Sequence, residues 1–515
     1  MNLPKSAFLL GASGMGMAPL ALYLQGAGIQ VSAHDENFRE PLRTQLEEAG
    51  VEVLVEPIPS QIPDCIIHSS AVSADSTLMK NWEKHKIPIY RRGEFIARFT
   101  SGKKVLAIVG SHGKTTTCAM LVWGLQQINF PISYLVGGLF QDTEIPPGKF
   151  VSNSWTVIEV DESDGTIDAF SPRITLALNC DWDHVTQYAS SNSFSNTLQS
   201  LFERTEEFII IPEENPIGEW SNSTNRASLV RFEGSTAPAN FLEFNQSAAI
   251  AAAKCIGADL SGLDFSKFPG IQRRQSVLYQ SSNRSIVEDY AHHPTEIEAF
   301  LSQRRMLDPQ SLMKVIFQPH RFSRTKSLAK DFAEELSLAD DLYLLPTYSA
   351  FEKFDPAGAV ESLMAFLPPR MRKNTKVHPN FPSLRKAIGP KPGGSNRDQI
   401  LFVGAGDLER WAHALASLEI ANGDKHKAFA IYLGKRLSKF CVLRPDEPLA
   451  SKTTMKVGGS ARWYAEPGNA EDLRILVETC KILEIPYCLM GRGSNLIVPD
   501  TGYGGLVLRL RGTFW

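Results

Sequence analysis

At 515 residues the chain is too long for a single core and points to about three or four domains at roughly 150 residues each. Its 43% hydrophobic and 21% charged residues argue against disorder or a fibre, and a net charge of −3 supplies no broad basic field for nucleic acid. The seven cysteines form no C-x-x-C pair, which fits free thiols in a reducing compartment and argues against a structural zinc.

Residues 7–29, "AFLLGASGMGMAPLALYLQGAGI", carry no charge and raise the question of a signal peptide or membrane span. Five glycines and Pro19 make a poor spanning helix, so a strand, turn and helix are expected instead. Gly11, Gly14 and Gly16, with Ser13 among them, sit in that turn, and Asp35 closes the next strand. Backbone amides at such a helix start can hold a pyrophosphate and the acid can meet a ribose, so a dinucleotide site of an NAD-type oxidoreductase is an alternative at this point. Short apolar runs and helical stretches alternate through the first hundred residues, the rhythm of a parallel sheet.

The second unit opens with "VLAIVGSHGKTTT", residues 105–117. A full phosphate loop, G-x-x-x-x-G-K-[ST], would need glycine where Ile108 stands. Gly110, Gly113 and Lys114 are nevertheless placed between an apolar strand and a helix begun by Thr115 and Thr116, so loop amides can line phosphates, Lys114 can neutralise them and Thr115 can reach magnesium. "WTVIEVDESD" is an apolar strand ending in Glu159, Asp161, Glu162 and Asp164, where a carboxylate for Mg²⁺ is wanted; solvated surface acids are the plainer reading. His184 follows a third strand, in "NCDWDHVTQY".

A third unit begins near "SIVEDYAHHP" and continues through "KVIFQPH", "DLYLLPT" and "QILFVGAGD". His292 and His293 are adjacent, so their side chains diverge and a shared zinc is not expected. Arg321 and Arg324 can clamp a phosphorylated intermediate, or form surface ion pairs. The polar stretch "IANGDKHKAF" reads as a linker into a last segment.

Together, "GASGMGMAPLA", "HSSAVS", "GSHGKTTT", "EVDESD", "DWDH", "FPGIQRR", "DYAHHPTEI", "FQPHRFSRT" and "VGAGDL" resemble, in order, the Mur ligase family. The resemblance covers about residues 7–415 and includes the missing loop glycine. It implies an α/β fold of three domains: a Rossmann-like UDP-sugar domain (1–100), a central P-loop ATPase domain (101–272) and a Rossmann-like C-terminal ligase domain (273–420). It implies ATP and Mg²⁺ as cofactors, cytoplasmic peptidoglycan synthesis, and joining of L-alanine to UDP-N-acetylmuramate through an acyl phosphate; a tripeptide-recycling ligase and a binding-only homologue are alternatives. Gly11, Ser13, Gly14, Gly16 and Ser70 would face the UDP sugar. Gly110, Ser111, His112, Gly113, Lys114, Thr115, Thr116, Asn245 and Tyr290 would bind ATP. Thr115, Glu159 and His184 would serve the metal, and Lys114, His292, Arg321 and Arg324 the chemistry. Leu242 stands where the family pattern has an asparagine that helps to bind adenine.

After a linker at 421–435, residues 436–515 are similar to the start of a family of FAD-dependent reductases acting on a UDP-amino sugar. Gly458, Gly459, Gly491, Gly493, Ser494 and Asn495 match its glycine-rich turns, which implies a partial FAD-binding α+β subdomain appended as a fusion. Uncovered apolar surface there would make a chain ending near 420 the better behaved of the two.

Overall fold

The structure, a computed structural model, describes residues 4–511 except 37, 39, 74–75, 161–165, 181–190, 214–225, 235–239, 391–396 and 435. These fall into two compact units, the first of residues 1–38, 42–276 and 293–309 and the second of 39–41, 277–292 and 310–515.

The first unit holds two sheets. Strands β1 (Ser6–Leu10), β2 (Gln30–His34), β3 (Glu52–Leu54), β4 (Cys65–His68) and β5 (Ile89–Arg91) are parallel in the order β3-β2-β1-β4-β5. The "AFLL" run of β1 is buried because helices cover both faces of a parallel sheet. Chain order reverses between β1 and β4, which opens a crevice beyond their carboxyl ends. The uncharged stretch at 7–29 is thus strand, turn and helix Met17–Gly26. Among the described residues no helix is long and apolar enough to cross a membrane.

The second sheet comprises β6 (Val105–Val109), β7 (Ile132–Leu135), β8 (Gly148–Lys149), β9 (Trp155–Glu159), β10 (Ile174–Ala177), β11 (Phe208–Pro212) and β12 (Ser228–Phe232), in the order β12-β11-β10-β6-β9-β7-β8. All pairs are parallel except β7 with β8. Helix Met17–Gly26 joins this sheet to the first. Its Tyr23 hydroxyl lies 3.3 Å from Thr156 Oγ1, and a Cβ on Gly148 would stand 2.1 Å from Pro19 O, so β8 can approach the helix only as glycine. One apolar core, from Ala7 and Tyr23 through Val105 to Ile211, fuses the two sheets.

The second unit also holds two. Strands β13 (Ser276–Gln280), β14 (Arg284–Asp289), β15 (Leu312–Phe317), β16 (Asp341–Leu344), β17 (Lys376–Val377) and β18 (Asp398–Val403) run in the order β13-β14-β18-β15-β16-β17. Arg284 on β14 faces Asp398 on β18 and donates two hydrogen bonds to it, at 2.9 and 2.8 Å; Lys314 and Glu419 complete a buried ion cluster. Such a cluster adds little net stability, since its charges lose hydration that their pairing has to repay. The last sheet, order β19-β20-β22-β21, is built from β19 (Val442–Pro448), β20 (Ser460–Glu466), β21 (Tyr487–Met490) and β22 (Tyr503–Arg509).

The expected linker at 421–435 is corrected: residues Lys425–Leu433 are a helix. The Asp424 carboxylate caps it, accepting from His426 N at 2.9 Å and Lys427 N at 3.1 Å. Ala428, Phe429, Tyr432 and Leu433 repeat at helical spacing and are buried in a core that runs from Ile286 and Phe402 to Trp463, Leu476 and Leu508. The polar residues that suggested a linker are the turn before this helix. The last sheet and the third therefore share one interior, although Leu489 and Ile497 on the last segment are 65% and 69% exposed.

Candidate functional site

The phosphate-type loop owes its shape to residues outside it. Ile108 is buried within β6, opposite Glu159 and Leu176, so the position where a standard loop has its first glycine is still strand. The chain turns two residues later, at Gly110 (φ 135°), and again at Gly113 (φ 82°), from which helix Lys114–Gln127 starts. Added Cβ atoms would lie 3.1 Å from the Asn179 backbone at Gly110 and 2.6 Å from Asn245 Oδ1 at Gly113. Asn179, just past β10, holds the loop with both ends of its amide: His112 N donates to Oδ1 at 2.9 Å, and Nδ2 donates to His112 O at 3.0 Å.

The first amides of a helix have no intrahelical acceptor, and no acidic residue stands in this first turn, so its start, with Ser111, Thr115 and the half-buried Thr116, suits an anion. Lys114 Nζ donates to Gly110 O at 2.5 Å, within reach of that position. His112 Nδ1 lies 3.5 Å from Glu296 Oε1, and its ring 5.2 Å from that of His293. Glu159 Oε1 accepts from Thr115 Oγ1 at 2.9 Å and Oε2 from Gly137 N at 3.0 Å. This pairing of a hydroxyl and a carboxylate beside the helix start offers the hard oxygen donors that Mg²⁺ takes. Asn245 is buried, accepts from Thr117 Oγ1 at 3.1 Å, and so supports the loop from behind. Leu242 packs against the apolar core beside it.

The glycine turn after β1 lies on the same unit. Gly11 (φ 77°) approaches Ser69 so closely that a Cβ would meet the serine Cβ at 2.9 Å. Asp35 Oδ2 accepts from Ser13 N at 2.9 Å, so the acid offered above as a ribose partner secures the turn itself. One cleft is lined by Gly14, Gly16, Ser70 and Arg92 on one side and Gly137 and Glu159 on the other. The Arg92 guanidinium lies on Gly16, where a Cβ would fall 2.5 Å from Nη1. Sequence reasoning passed over Arg92 and Asn179; a polar residue directly after a buried strand is the one signal that could have marked Asn179.

In the second unit, Tyr290 and His292 follow β14, and His292 Nδ1 lies 3.0 Å from Tyr290 O. The His292 ring is 5.9 Å from that of His320, which stacks on Tyr348 at 5.4 Å. Arg321 and Arg324 are three residues apart at the start of helix Phe322–Leu336, and Arg321 has φ 71°. The loops after β14 and β15 are thus brought together. His184, Asp161, Glu162 and Asp164 lie outside the described residues. Among the described residues no three His, Cys, Asp or Glu cluster as a metal site.

The glycines of the last segment have packing reasons of their own. Cβ atoms at Gly458, Gly459 and Gly493 would fall 2.5 Å from Val498, 2.3 Å from Asp500 O and 2.4 Å from Lys452 O. Gly491, Ser494 and Asn495 are exposed.

Two family descriptions match the chain: "Mur ligase family, catalytic domain" over residues 9–104 and "Mur ligase, glutamate ligase domain" over 273–406. The chain is 27% identical over 458 residues to a UDP-N-acetylmuramate–L-alanine ligase of Cytophaga hutchinsonii, covering 80% of this chain and 96% of that protein. A ligase of the same name from Kineococcus radiotolerans is 29% identical over 447 residues, covering 78% and 93%. Among solved structures, the UDP-N-acetylmuramate-alanine ligase of Thermotoga maritima superposes with a TM-score of 0.66 at 23% identity, covering 82% of this chain and all of that one. A murein peptide ligase of Psychrobacter arcticus gives 0.59 at 20% identity, covering 82% and 99%.

Proposed function

We propose that this chain, which has the fold of the Mur ligases, joins L-alanine to UDP-N-acetylmuramate at the expense of ATP, a step of peptidoglycan synthesis. The observation that carries the reading is a cleft of the first unit, with the Gly14–Gly16 turn and Ser70 on one wall and Glu159, hydrogen-bonded to Thr115 of the phosphate-type loop, on the other. A sugar nucleotide on the turn and ATP on the loop then share one space.

A carboxylate is a poor acylating agent. In the proposed reaction its oxygen attacks the γ-phosphorus as the bond to ADP breaks, giving an acyl phosphate. The L-alanine nitrogen attacks the carbonyl carbon, the C–O bond breaks toward inorganic phosphate, and the nitrogen loses its proton. No enzyme nucleophile is required, so the residues bind, orient and neutralise charge. Loop amides and Lys114 hold the ATP phosphates, Lys114 leaving Gly110 O to do so. Mg²⁺, when bound, neutralises phosphate charge, and Thr115 and Glu159 would hold it. Gly11, Ser13, Gly14, Gly16 and Ser70 bind the UDP sugar, joined by Arg92. From the second unit, Tyr290 and His292 serve nucleotide and substrate, and Arg321 and Arg324 the acyl phosphate. ATP as co-substrate and seven free thiols fit a cytoplasmic setting. For the last segment, FAD contacts through Gly491, Ser494 and Asn495 belong to the same reading, and a flavin spectrum retained on gel filtration would be their test.

The function is tested by ADP release with UDP-N-acetylmuramate, L-alanine, ATP and Mg²⁺. Lys114→Ala is expected to lower kcat about 10²-fold or more. Equal turnover of the variant would remove Lys114 from the reaction.

A further inference from the structure

Among the groups assigned to chemistry, Arg321 has the most demanding backbone. Its φ of 71° and ψ of 133° lie where a side chain is disfavoured, and such a residue persists only where its surroundings over-determine it. On one side the determinant is Tyr348: Arg321 N donates to Tyr348 O at 2.8 Å, and Tyr348 N donates to Pro319 O at 2.8 Å.

On the other side it is Gln318, the first residue after β15, 7% exposed. Its backbone N donates to Val403 O at 3.0 Å. Its side chain engages the loop after β18 with both ends: Nε2 donates to Asp407 Oδ1 at 2.9 Å, and Oε1 accepts from Leu408 N at 3.2 Å. That loop is shaped around the amide, since a Cβ on Gly406 would stand 2.2 Å from Gln318 Oε1 and one on Gly404 would stand 2.7 Å from Gln318 O. A buried amide with donor and acceptor both satisfied is costly to disturb and has one orientation here.

We infer that Gln318 is a positioning residue: by clasping the 404–408 loop it holds the 318–321 segment in the conformation that presents Arg321 to the phosphorylated intermediate. The inference rests on the role proposed above for Arg321. Without the clasp the segment is pinned from one side and Arg321 can relax to an ordinary backbone conformation, moving its guanidinium while the fold stays intact.

The test is steady-state ligation with the full chain, with thermal unfolding followed in parallel. Gln318→Ala is expected to lower kcat by about 10²-fold, the cost of a misplacement of roughly 1 Å, while KM for ATP stays nearly unchanged. Gln318→Glu still accepts from Leu408 N but faces the Asp407 carboxylate without a donor, and is expected to be comparably impaired. Combining it with Asp407→Asn restores a donor across the same contact, and kcat is expected to return to within about threefold of the parent. A merely structural role would not produce that recovery. Gln318→Ala with kcat within twofold of the parent overturns the inference, as does a paired variant that unfolds cooperatively yet stays as slow as Gln318→Glu. Arg321→Ala separates the two levels: if it is slow while Gln318→Ala is normal, only the clasp is wrong. If Arg321→Ala turns over normally, the assigned role of Arg321 falls and the inference with it.

Discussion

At the scale of single residues, the phosphate-type loop shows how a pattern can look broken while the geometry is kept. Gly113, Lys114 and Thr115 were legible because their chemistry is local: a positive-φ glycine, a cation and a hydroxyl at a helix start. The missing glycine was legible only as a gap, because nothing in the sequence says that Ile108 is still paired in β6. Asn179 is 67 residues from the loop it holds, so no spacing rule reaches it. Asn179→Ala removes both of its hydrogen bonds to His112 and is expected to cost about 1–3 kcal/mol of stability. It should also raise KM for ATP, because the loop amides lose their fixed aim. An unchanged KM in a variant with a lowered melting temperature would confine Asn179 to folding. Gly113→Ala should be worse, since φ 82° and a Cβ only 2.6 Å from Asn245 Oδ1 both oppose it.

At the scale of elements, the βα rhythm identified strands and helices wherever apolar periodicity was strong, and it misled where polar residues opened an element. Helix Lys425–Leu433 is the instance. Its cap and half-buried first turn supply "GDKHK", whereas its fully buried residues come afterwards. A chain ending near 420, expected from sequence to behave better than the whole, would lose Phe429, Tyr432, Trp463 and Leu476 from an interior shared with Ile286 and Phe402. Stripping even one such side chain costs about 2–5 kcal/mol, so the shortened chain is predicted to melt lower and to aggregate. Differential scanning calorimetry of the two chains decides this. Equal melting of residues 1–420 and the full chain would mean that the last segment contributes nothing to the third sheet. Arg410 Nη1, 2.8 Å from Glu478 Oε2, ties the same elements at the surface and should matter far less.

At the scale of the whole molecule, burial of thiols couples stability to alkaline pH. Desolvation pushes Cys65 and Cys480 up to about 12 and Cys255 up to about 11, and holds the wholly enclosed Cys118 well above its ordinary value. Unfolded thiols ionise near pH 9, so the folded state binds these protons more tightly. The contribution is fully present below that pH and is lost as pH rises from there through the folded values. A urea midpoint that falls between about pH 9 and 11 is expected, and one that stays level across that range would contradict the burial described. The central claim lies elsewhere, in the ligation proposed for the cleft of the fused first two sheets. The most direct test is the mass of the nucleotide product formed from UDP-N-acetylmuramate, ATP and Mg²⁺ with L-alanine, with a stem tripeptide, or with no acceptor. The account predicts a product heavier by one alanine residue, formed with one ADP per product and absent without acceptor. A product carrying the tripeptide alone, or none from the folded chain, would contradict it.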